Sequence, residues 1–291
     1  MNAVPLQITI RIMPDRSRIS PVRHFLLAAA VACFATACTP VQTPAPPEPG
    51  GAITVFAAAS LRSAFTELGA NFLKANPGMT VGFSFGGSQQ LAEQIANDAP
   101  ADVFASANQA LIGIAAKTGR IDASAARTFA RNRLIVIYPH NNPGRISRLR
   151  DLNTPGLKLV LANKHVPVGA YALAFLNTAS ARPEFGADFG ASVLSNVVSY
   201  EEDVRAVFNK VALGEADAGI VYASDVFADA RSGVGKIDIP DELNTIANYP
   251  IAPLKDSKNP ALAQAFVNYV LSPEAQAVLV KHGFSTAADP R

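Results

Sequence analysis

Residues 53–61 read Ile-Thr-Val-Phe-Ala-Ala-Ala-Ser-Leu, a short apolar run that passes directly into a helical pattern. The segment Ile53–Ala58 predicts a buried strand. In Leu61–Asn76 the apolar residues recur at helical spacing, until Pro77 and Gly78 end the helix. A strand followed at once by a helix is the unit from which mostly parallel sheets are built. This junction therefore favours an α/β fold.

The same alternation of short apolar runs and amphipathic stretches continues along the chain. Further predicted strands are Thr80–Phe85, Val103–Ser106, Arg133–Pro139, Lys158–Ala162, Asn196–Ser199 and Ala218–Val221. Further predicted helices are Gln89–Asn97, Asn108–Thr118, Ala123–Phe129, Ala170–Thr178, Glu202–Leu213, Pro260–Val270 and Pro273–His282.

Two apolar segments, Arg133–Pro139 and Asn248–Pro253, are interpreted as crossings between two lobes. We predict that residues 52–131 and 249–291 form lobe 1 and that residues 132–248 form lobe 2. Each lobe is expected to contain a mixed, mostly parallel sheet flanked by helices. The two crossings would act as a hinge, with a ligand cleft between the lobes at the carboxyl ends of the strands.

Composition agrees with two well-filled lobes, because 49% of the 291 residues are hydrophobic and only 16% are charged. The formal net charge of +2 depends on four arginines among residues 1–37. The rest of the chain has 21 basic and 22 acidic residues. A nearly neutral domain lacks the basic surface that nucleic-acid binding needs, so no nucleic-acid partner is expected.

The first 51 residues have the features of export and tethering. Three arginines at 16, 18 and 23 precede the apolar run 25–34, which is too short to span a bilayer, so residues 1–37 are predicted to be a signal peptide. Either Met1 or Met13 can be its start. The sequence Ala-Thr-Ala before Cys38 resembles a lipoprotein box and predicts lipidation of Cys38, with ordinary cleavage as the alternative. The proline-rich segment 38–51 is typical of a semi-stiff spacer.

Four predicted strand-to-helix junctions place hydroxyls and backbone amides, with no cation at the tip, where an anion would bind. The junctions are Ala59-Ser60, Gly87-Ser88, Val168-Gly169 and Asp203-Val204. A helix N-terminus offers unpaired N–H groups and the positive end of the helix dipole. Several such ends at one cleft predict a receptor for a small oxyanion.

Five blocks in fixed order resemble the periplasmic molybdate-binding proteins of ABC importers. The blocks are Ile53–Leu61 (ITVFAAASL), Ala99–Ala107 (APADVFASA), His165–Ala172 (HVPVGAYA), Glu202–Arg205 (EDVR) and Gly219–Asp225 (GIVYASD). The end of the chain, Lys281–Phe284, is also similar to that family, and the resemblance covers roughly residues 52–286. It implies the type II periplasmic-binding-protein fold, with two lobes and two crossings.

The resemblance implies a ligand shell without charged groups. By position in the matching blocks, Ser60, Ser88 and Tyr222 correspond to hydroxyl donors, and Val168 and Val204 to main-chain N–H donors. Two departures stand out. Glycines precede Ser88 where the family has serine, which is expected to make that loop more mobile, and Val168 stands where the family usually has alanine.

A shell of donors alone suits molybdate or tungstate, whose four oxygens accept hydrogen bonds and carry no proton near neutral pH. Protonated phosphate would place a donor against a donor, at a cost of roughly 1–3 kcal/mol. We therefore expect a monomeric receptor, neither an enzyme nor dependent on a cofactor, that delivers molybdate to a membrane permease. Molybdenum would be present only as the oxyanion, without direct protein ligands to the metal.

Several alternatives remain open at this point. Ser60 and Ser88 are residue types that commonly serve as N-caps. Asp203 and Arg205 can form a cap or a surface ion pair, and Arg62 is expected to point away from the donors because it lies within a helix.

Three other functions are also considered. Sulfate has the same charge as molybdate, so only the size of the site would exclude it. A serine hydrolase would use Ser60 or Ser88 with His165, although the sequence has no Gly-x-Ser-x-Gly elbow. An iron receptor would need paired tyrosines, whereas Tyr200 and Tyr249 are predicted to lie away from Tyr222.

Overall fold

A computed structural model describes residues 50–227 and 233–287. The predicted signal peptide, Cys38 and the spacer as far as residue 49 lie outside the described residues. The strands are β1 (Ala52–Ala58), β2 (Thr80–Gly86), β3 (Val103–Ala105), β4 (Arg127–Asn132), β5 (Leu134–Pro139), β6 (Leu159–Ala162), β7 (Val197–Glu201), β8 (Ala218–Tyr222), β9 (Val234–Asp238), β10 (Ala247–Pro253) and β11 (Ser285–Thr286). The α-helices are α1 (Arg62–Ala75), α2 (Ser88–Ala96), α3 (Gln109–Ala116), α4 (Pro167–Ser180), α5 (Phe189–Ser195), α6 (Val204–Ala212), α7 (Ala223–Phe227), α8 (Pro260–Val270) and α9 (Pro273–Lys281).

The strands form two mixed sheets. Sheet A has the order β11-β4-β10-β3-β1-β2, and sheet B has the order β7-β6-β8-β5-β9. In sheet A, β1 pairs in parallel with β2 and β3, while β10 runs antiparallel to β3 and β4. In sheet B, β6 pairs in parallel with β7 and β8, while β5 runs antiparallel to β8 and β9. The predicted α/β class with mixed sheets flanked by helices is confirmed. The prediction that the sheets are mostly parallel is wrong, because four pairings among the described strands are parallel and five are antiparallel.

The chain passes between the two sheets twice. A single residue, Arg133, separates the end of β4 at Asn132 from the start of β5 at Leu134. The return lies between β9 and β10, and the Arg133 Nη1 atom is 2.6 Å from Asp241 Oδ1 in that returning segment. The two crossings are therefore tied to each other by an ion pair, in agreement with the predicted two-lobed fold.

The core of sheet A fixes the first strand-to-helix junction. Phe65 on α1 is fully buried, and its ring lies 5.6 Å from that of Phe129 and 6.2 Å from those of Phe83 and Phe266, measured between centroids. A buried phenylalanine contributes roughly 1.5–3 kcal/mol through the hydrophobic effect alone. This packing holds the start of α1 rigidly above the end of β1.

The predicted helix Ala123–Phe129 is wrong. The Asp122 carboxylate accepts the Ser124 N–H at 2.9 Å and forms a turn, and β4 then begins at Arg127. β4 pairs with β10 on one side and β11 on the other, and Phe129 is fully buried. Pairing with strands distant in sequence overrides the local helical preference, as is usual for strands.

The apolar segment Asn248–Pro253 was predicted to be a connection, but it is part of β10 in the interior of sheet A. Pro250 is tolerated there because the register shifts between Tyr249 and Pro250, and a bulge is one of the few places where a strand accepts proline. The interlobe connection is instead the preceding segment, residues 239–246. The sequence analysis also missed α5, α7, β9 and β11.

Candidate functional site

The five predicted site residues line one small cavity. Ser60, Ser88, Val168, Val204 and Tyr222 come together there, although the chain separates the first from the last by more than half its length. The remaining lining residues are Ala58, Ala59, Gly86, Gly87, Ala107, Val166, Pro167 and Asp203. The cavity volume is about 10 Å³, close to the minimum that admits one water molecule. The cavity is therefore nearly closed in this structure.

Helices that begin at the cavity leave backbone N–H groups unused. The N-cap positions of α2 and α4 are Gly87 and Val166, and neither side chain makes a capping hydrogen bond. Val168 is the second residue of α4, so its N–H has no intrahelical acceptor. At such uncapped ends the N–H groups and the helix dipole are both available to an anion.

The start of α6 differs because it has a cap. The Asp203 side chain accepts the Ala206 N–H at 3.0 Å, which satisfies the third residue of the helix. The first residue, Val204, keeps its own N–H for the cavity. Asp203 is thus the predicted cap, and its negative charge interacts with the N-terminus of α6.

The two serines on the side of sheet A are held from behind by other groups. Ser60 Oγ lies 2.9 Å from Tyr249 Oη, and Ser88 Oγ accepts the Ala107 N–H at 3.1 Å. Neither serine is an N-cap, since Gly87 occupies that position in α2 and Ser60 lies inside the short 3-10 helix Ala59–Leu61. The alternative that both serines only cap helices is wrong. A hydroxyl whose oxygen already accepts one hydrogen bond still has its proton to donate.

Tyr222 carries the most informative atom of the site. Its side chain is 1% exposed, and its Oη makes no hydrogen bond within the described part of the chain. Burial, together with the neighbouring Tyr249 and Tyr171, raises the pKa of Tyr222 well above its ordinary value, so the hydroxyl keeps its proton. A buried donor without an acceptor costs roughly 1–3 kcal/mol, which a bound acceptor would recover.

The buried Asp225 carboxyl group supports Tyr222 from below, and the partly exposed Arg205 lies beside it. Asp225 Oδ2 accepts the Tyr222 N–H at 3.1 Å, and Asp225 Oδ1 lies 3.8 Å from Arg205 Nη1. Burial raises the pKa of Asp225 to about 7, although the positive charge of Arg205 opposes that shift. The Arg205 guanidinium also stacks on the Phe208 ring, 4.3 Å from its centroid. The predicted Asp203–Arg205 surface pair is therefore wrong, because Arg205 pairs with Asp225.

Cationic side chains do not line the cavity in the described residues. Arg62 is exposed and stacks on Phe85 at 4.6 Å from the ring centroid. His165 is also exposed, and its backbone N–H donates to Asn163. Asp203 is the one charged residue among those that line the cavity. The site thus offers donors on uncharged groups.

Residues 53–285 match the family of bacterial extracellular solute-binding proteins. The chain belongs to this family. The molybdate-binding protein ModA of Mycobacterium tuberculosis is 39% identical over 265 residues, which are 91% of this chain and 95% of that protein.

Two solved structures share the fold of this solute-binding protein. The periplasmic molybdate-binding protein of Azotobacter vinelandii aligns with a TM-score of 0.69 and 20% identity, over 82% of this chain and 100% of that one. The sulfate-binding protein SubI of Mycobacterium tuberculosis aligns with a TM-score of 0.73 and 22% identity, over 82% and 88% of the two chains. At these identities the likeness concerns the fold alone.

The two lobes of this solute-binding protein meet closely at the rim of the cavity. Gln90 Nε2 of α2 donates to Glu202 Oε2 at 2.8 Å. A Cβ atom added to Gly87 would lie 2.6 Å from the Glu202 carbonyl oxygen, closer than real contacts allow. The glycine before Ser88, predicted only to loosen the loop, thus permits this close approach of the lobes.

The sequence analysis missed Tyr249, which it placed away from Tyr222. The two rings lie 5.8 Å apart between centroids, and Tyr249 is fully buried. The signal was weak because Tyr249 stands 189 residues from Ser60 and reaches it only through the pairing of β10 inside sheet A. In this solute-binding protein the strand interpreted as a connection therefore supports the site.

Proposed function

We propose that this protein captures molybdate, and tungstate in the same way, between its two lobes. The observation that carries the proposal is the buried Tyr222 hydroxyl, which lacks an acceptor in a cavity lined by other donors. An unprotonated tetrahedral dianion supplies four acceptor oxygens at once. Such a ligand would satisfy Tyr222, Ser60 and Ser88 together with the N–H groups of Val168 and Val204.

A shell of uncharged donors can bind an anion that is buried away from water. Hydrogen bonds to a charged group contribute roughly 1.5–3 kcal/mol each, so five donors are ample for tight binding. The shell would disfavour hydrogen phosphate, because its proton would face a donor at each of these five groups. Asp203, the carboxylate in the lining, already accepts the Ala206 N–H.

Sulfate is the second candidate, since it has the same charge and no proton. The relation to a relative named as a molybdate-binding protein, at 39% identity, favours molybdate. A ferric ion is disfavoured because the described residues contain no cluster of three or more His, Cys, Asp or Glu side chains that could hold a metal ion.

Binding without turnover is the proposed activity. A serine hydrolase would need a base beside its nucleophile. The partners of Ser60 and Ser88 are instead the Tyr249 hydroxyl and the Ala107 N–H, and His165 is exposed and does not line the cavity. These contacts support a receptor, and the bound anion would need no cofactor.

We further propose that the receptor is a monomer on the periplasmic side of a bacterial cell envelope, anchored by a lipid at Cys38. It would hand its anion to the permease of an ABC transporter. Residues 52–131 with 249–291, and residues 132–248, would move as its two lobes. The described residues contain no helix long and apolar enough to cross a bilayer. Fatty-acid labelling of the wild type and of Cys38→Ser tests the anchor.

Titration calorimetry of the purified protein with molybdate, tungstate, sulfate and phosphate tests the proposed ligand. We expect molybdate and tungstate to bind roughly ten- to hundredfold more tightly than phosphate, because a donor facing a donor costs about one to two decades in affinity. If sulfate binds more tightly than molybdate, the proposed ligand is wrong and sulfate takes its place in the proposal. Absence of binding to all four anions would overturn the oxyanion receptor.

A further inference from the structure

The two serines that line the cavity are arranged alike, because each hydroxyl oxygen has a hydrogen-bond partner outside the cavity lining or on the side away from the cavity. Each serine oxygen is occupied from behind, Ser60 Oγ by the Tyr249 hydroxyl at 2.9 Å and Ser88 Oγ by the Ala107 N–H at 3.1 Å. A serine hydroxyl can donate or accept, and which it does depends on its other partners. A main-chain N–H can only donate, so Ser88 is fixed as a donor toward the cavity.

For Ser60 the direction of the hydrogen bond follows from the proposed ligand. Either oxygen of the buried 2.9 Å pair between Ser60 and Tyr249 can be the donor. A serine hydroxyl has a single proton. When Ser60 donates that proton to a bound anion, as the proposed function requires, Tyr249 must donate to Ser60 Oγ.

We infer that Tyr249 is a positioning residue that determines the selectivity of the site. It donates to Ser60 Oγ, so the Ser60 proton is directed into the cavity and Ser60 is held as a donor. Without Tyr249, the Ser60 hydroxyl is free to turn and accept a proton from a protonated oxyanion. The inference deepens the proposed function and rests on it: the preference for unprotonated anions depends on a residue that does not line the cavity.

Tyr249 is also part of the core, so its hydroxyl must be separated from its ring. The ring packs against Phe129, Tyr222 and Phe284 at centroid distances of 6.3, 5.8 and 5.4 Å. The variant Tyr249→Phe keeps these ring contacts and removes only the oxygen. Tyr269→Phe is a matched control, since it removes the hydroxyl of another tyrosine packed on an aromatic core residue, Phe72, and absent from the cavity lining.

The test is a double-mutant cycle with Tyr249→Phe, Ser60→Ala and their combination, each titrated with molybdate, sulfate and phosphate at pH 7. Tyr249→Phe is expected to weaken molybdate binding roughly three- to tenfold, the size of one net hydrogen bond. Sulfate, which has no proton, should weaken in parallel, while phosphate should weaken less or bind better. In the Ser60→Ala background, Tyr249→Phe should change molybdate affinity less than about twofold.

The outcomes separate the inference from the function beneath it. Equal effects of Tyr249→Phe with and without Ser60, or unchanged ratios among the three anions, would overturn the role of Tyr249 while the receptor stands. Failure of the wild type to bind molybdate would overturn the proposed function and this inference together. Thermal unfolding of each variant, with Tyr269→Phe as reference, shows whether a loss of affinity reflects a loss of folding.

Discussion

The two lobes contribute donors of different kinds to one cavity. The lobe on sheet A contributes the hydroxyls of Ser60 and Ser88, and each of these needs a partner behind it. The lobe on sheet B contributes main-chain N–H groups at Val168 and Val204, which helix geometry alone directs, with Tyr222 as its one hydroxyl. Main-chain donors tolerate changes of side chain, whereas hydroxyl donors depend on their surroundings.

The largest effect on molybdate binding is expected for Ser88→Ala, which removes one of the hydroxyl donors. This change removes a donor to the anion, worth roughly 1.5–3 kcal/mol, and also leaves the buried Ala107 N–H unpaired, which costs about 1–3 kcal/mol of stability. Calorimetry should show about a ten- to hundredfold loss of molybdate affinity, and urea unfolding a lower stability. Ser63→Ala, on α1 outside the cavity, is the control. An unchanged stability would mean that Ala107 does not depend on Ser88.

The main-chain side is tested by Val204→Pro against Val204→Ala. Val204 is the first residue of α6, where proline fits the helix and removes only the N–H. The preceding Asp203 has φ −153° and ψ 170°, an extended backbone that can precede proline. We expect the proline variant to bind molybdate about ten- to hundredfold more weakly than the alanine variant, with similar melting temperatures. Equal affinities would remove this N–H from the shell.

A smaller effect is expected where the lobes touch, in Gly87→Ala. The added Cβ would lie 2.6 Å from the Glu202 carbonyl oxygen and keep the lobes slightly apart. The added methyl group should make closure of the lobes less favourable by on the order of 1 kcal/mol, so molybdate affinity should fall roughly three- to tenfold. Small-angle scattering should show less compaction on binding. Gly113→Ala, whose Cβ meets nothing within 4 Å, is the matched control. Full compaction of Gly87→Ala would contradict this contact.

The smallest effect on binding is expected for Asp225→Asn, which instead changes the pH dependence of stability. Burial raises the pKa of Asp225 from 3.8 to about 7, so between these values the folded protein holds a proton that the unfolded chain has lost. This contribution is complete below pH 4 and is lost as the pH rises to about 7. Urea unfolding at pH 5 and pH 8 should therefore show a smaller pH effect in Asp225→Asn, by on the order of 2 kcal/mol. If the wild type and Asp225→Asn show the same pH dependence of stability, Asp225 is not the group that titrates.

The hydroxyl donors of the site could be predicted from the sequence more directly than the main-chain donors. Ser60 and Ser88 are visible because they follow apolar strands at the start of a helix, and those strands and helices were predicted within a few residues. Val168 and Val204 carry no chemical signal of their own, since any residue has an N–H. They were indicated by their place at predicted strand-to-helix junctions and by the order of the matching blocks. Side-chain donors can thus be predicted from residue type, and main-chain donors only from position.

The failures have a common physical cause in long-range pairing. The β4 strand was predicted as the helix Ala123–Phe129 because its partners β10 and β11 lie more than 100 residues away. Tyr249 was missed for the same reason, since β10 brings it beneath Ser60. Local patterns contain no information on which distant strand will pair, so groups that support the site from behind are the last to be predicted.

The single residue between β4 and β5 limits how this receptor can open. Only Arg133 joins the two sheets at this crossing, and its ion pair to Asp241 places the returning segment beside it. We expect release of the anion to be a rotation of the lobes about this place instead of a sliding movement. Such a rotation would break the hydrogen bond between Gln90 and Glu202 at the rim of the cavity.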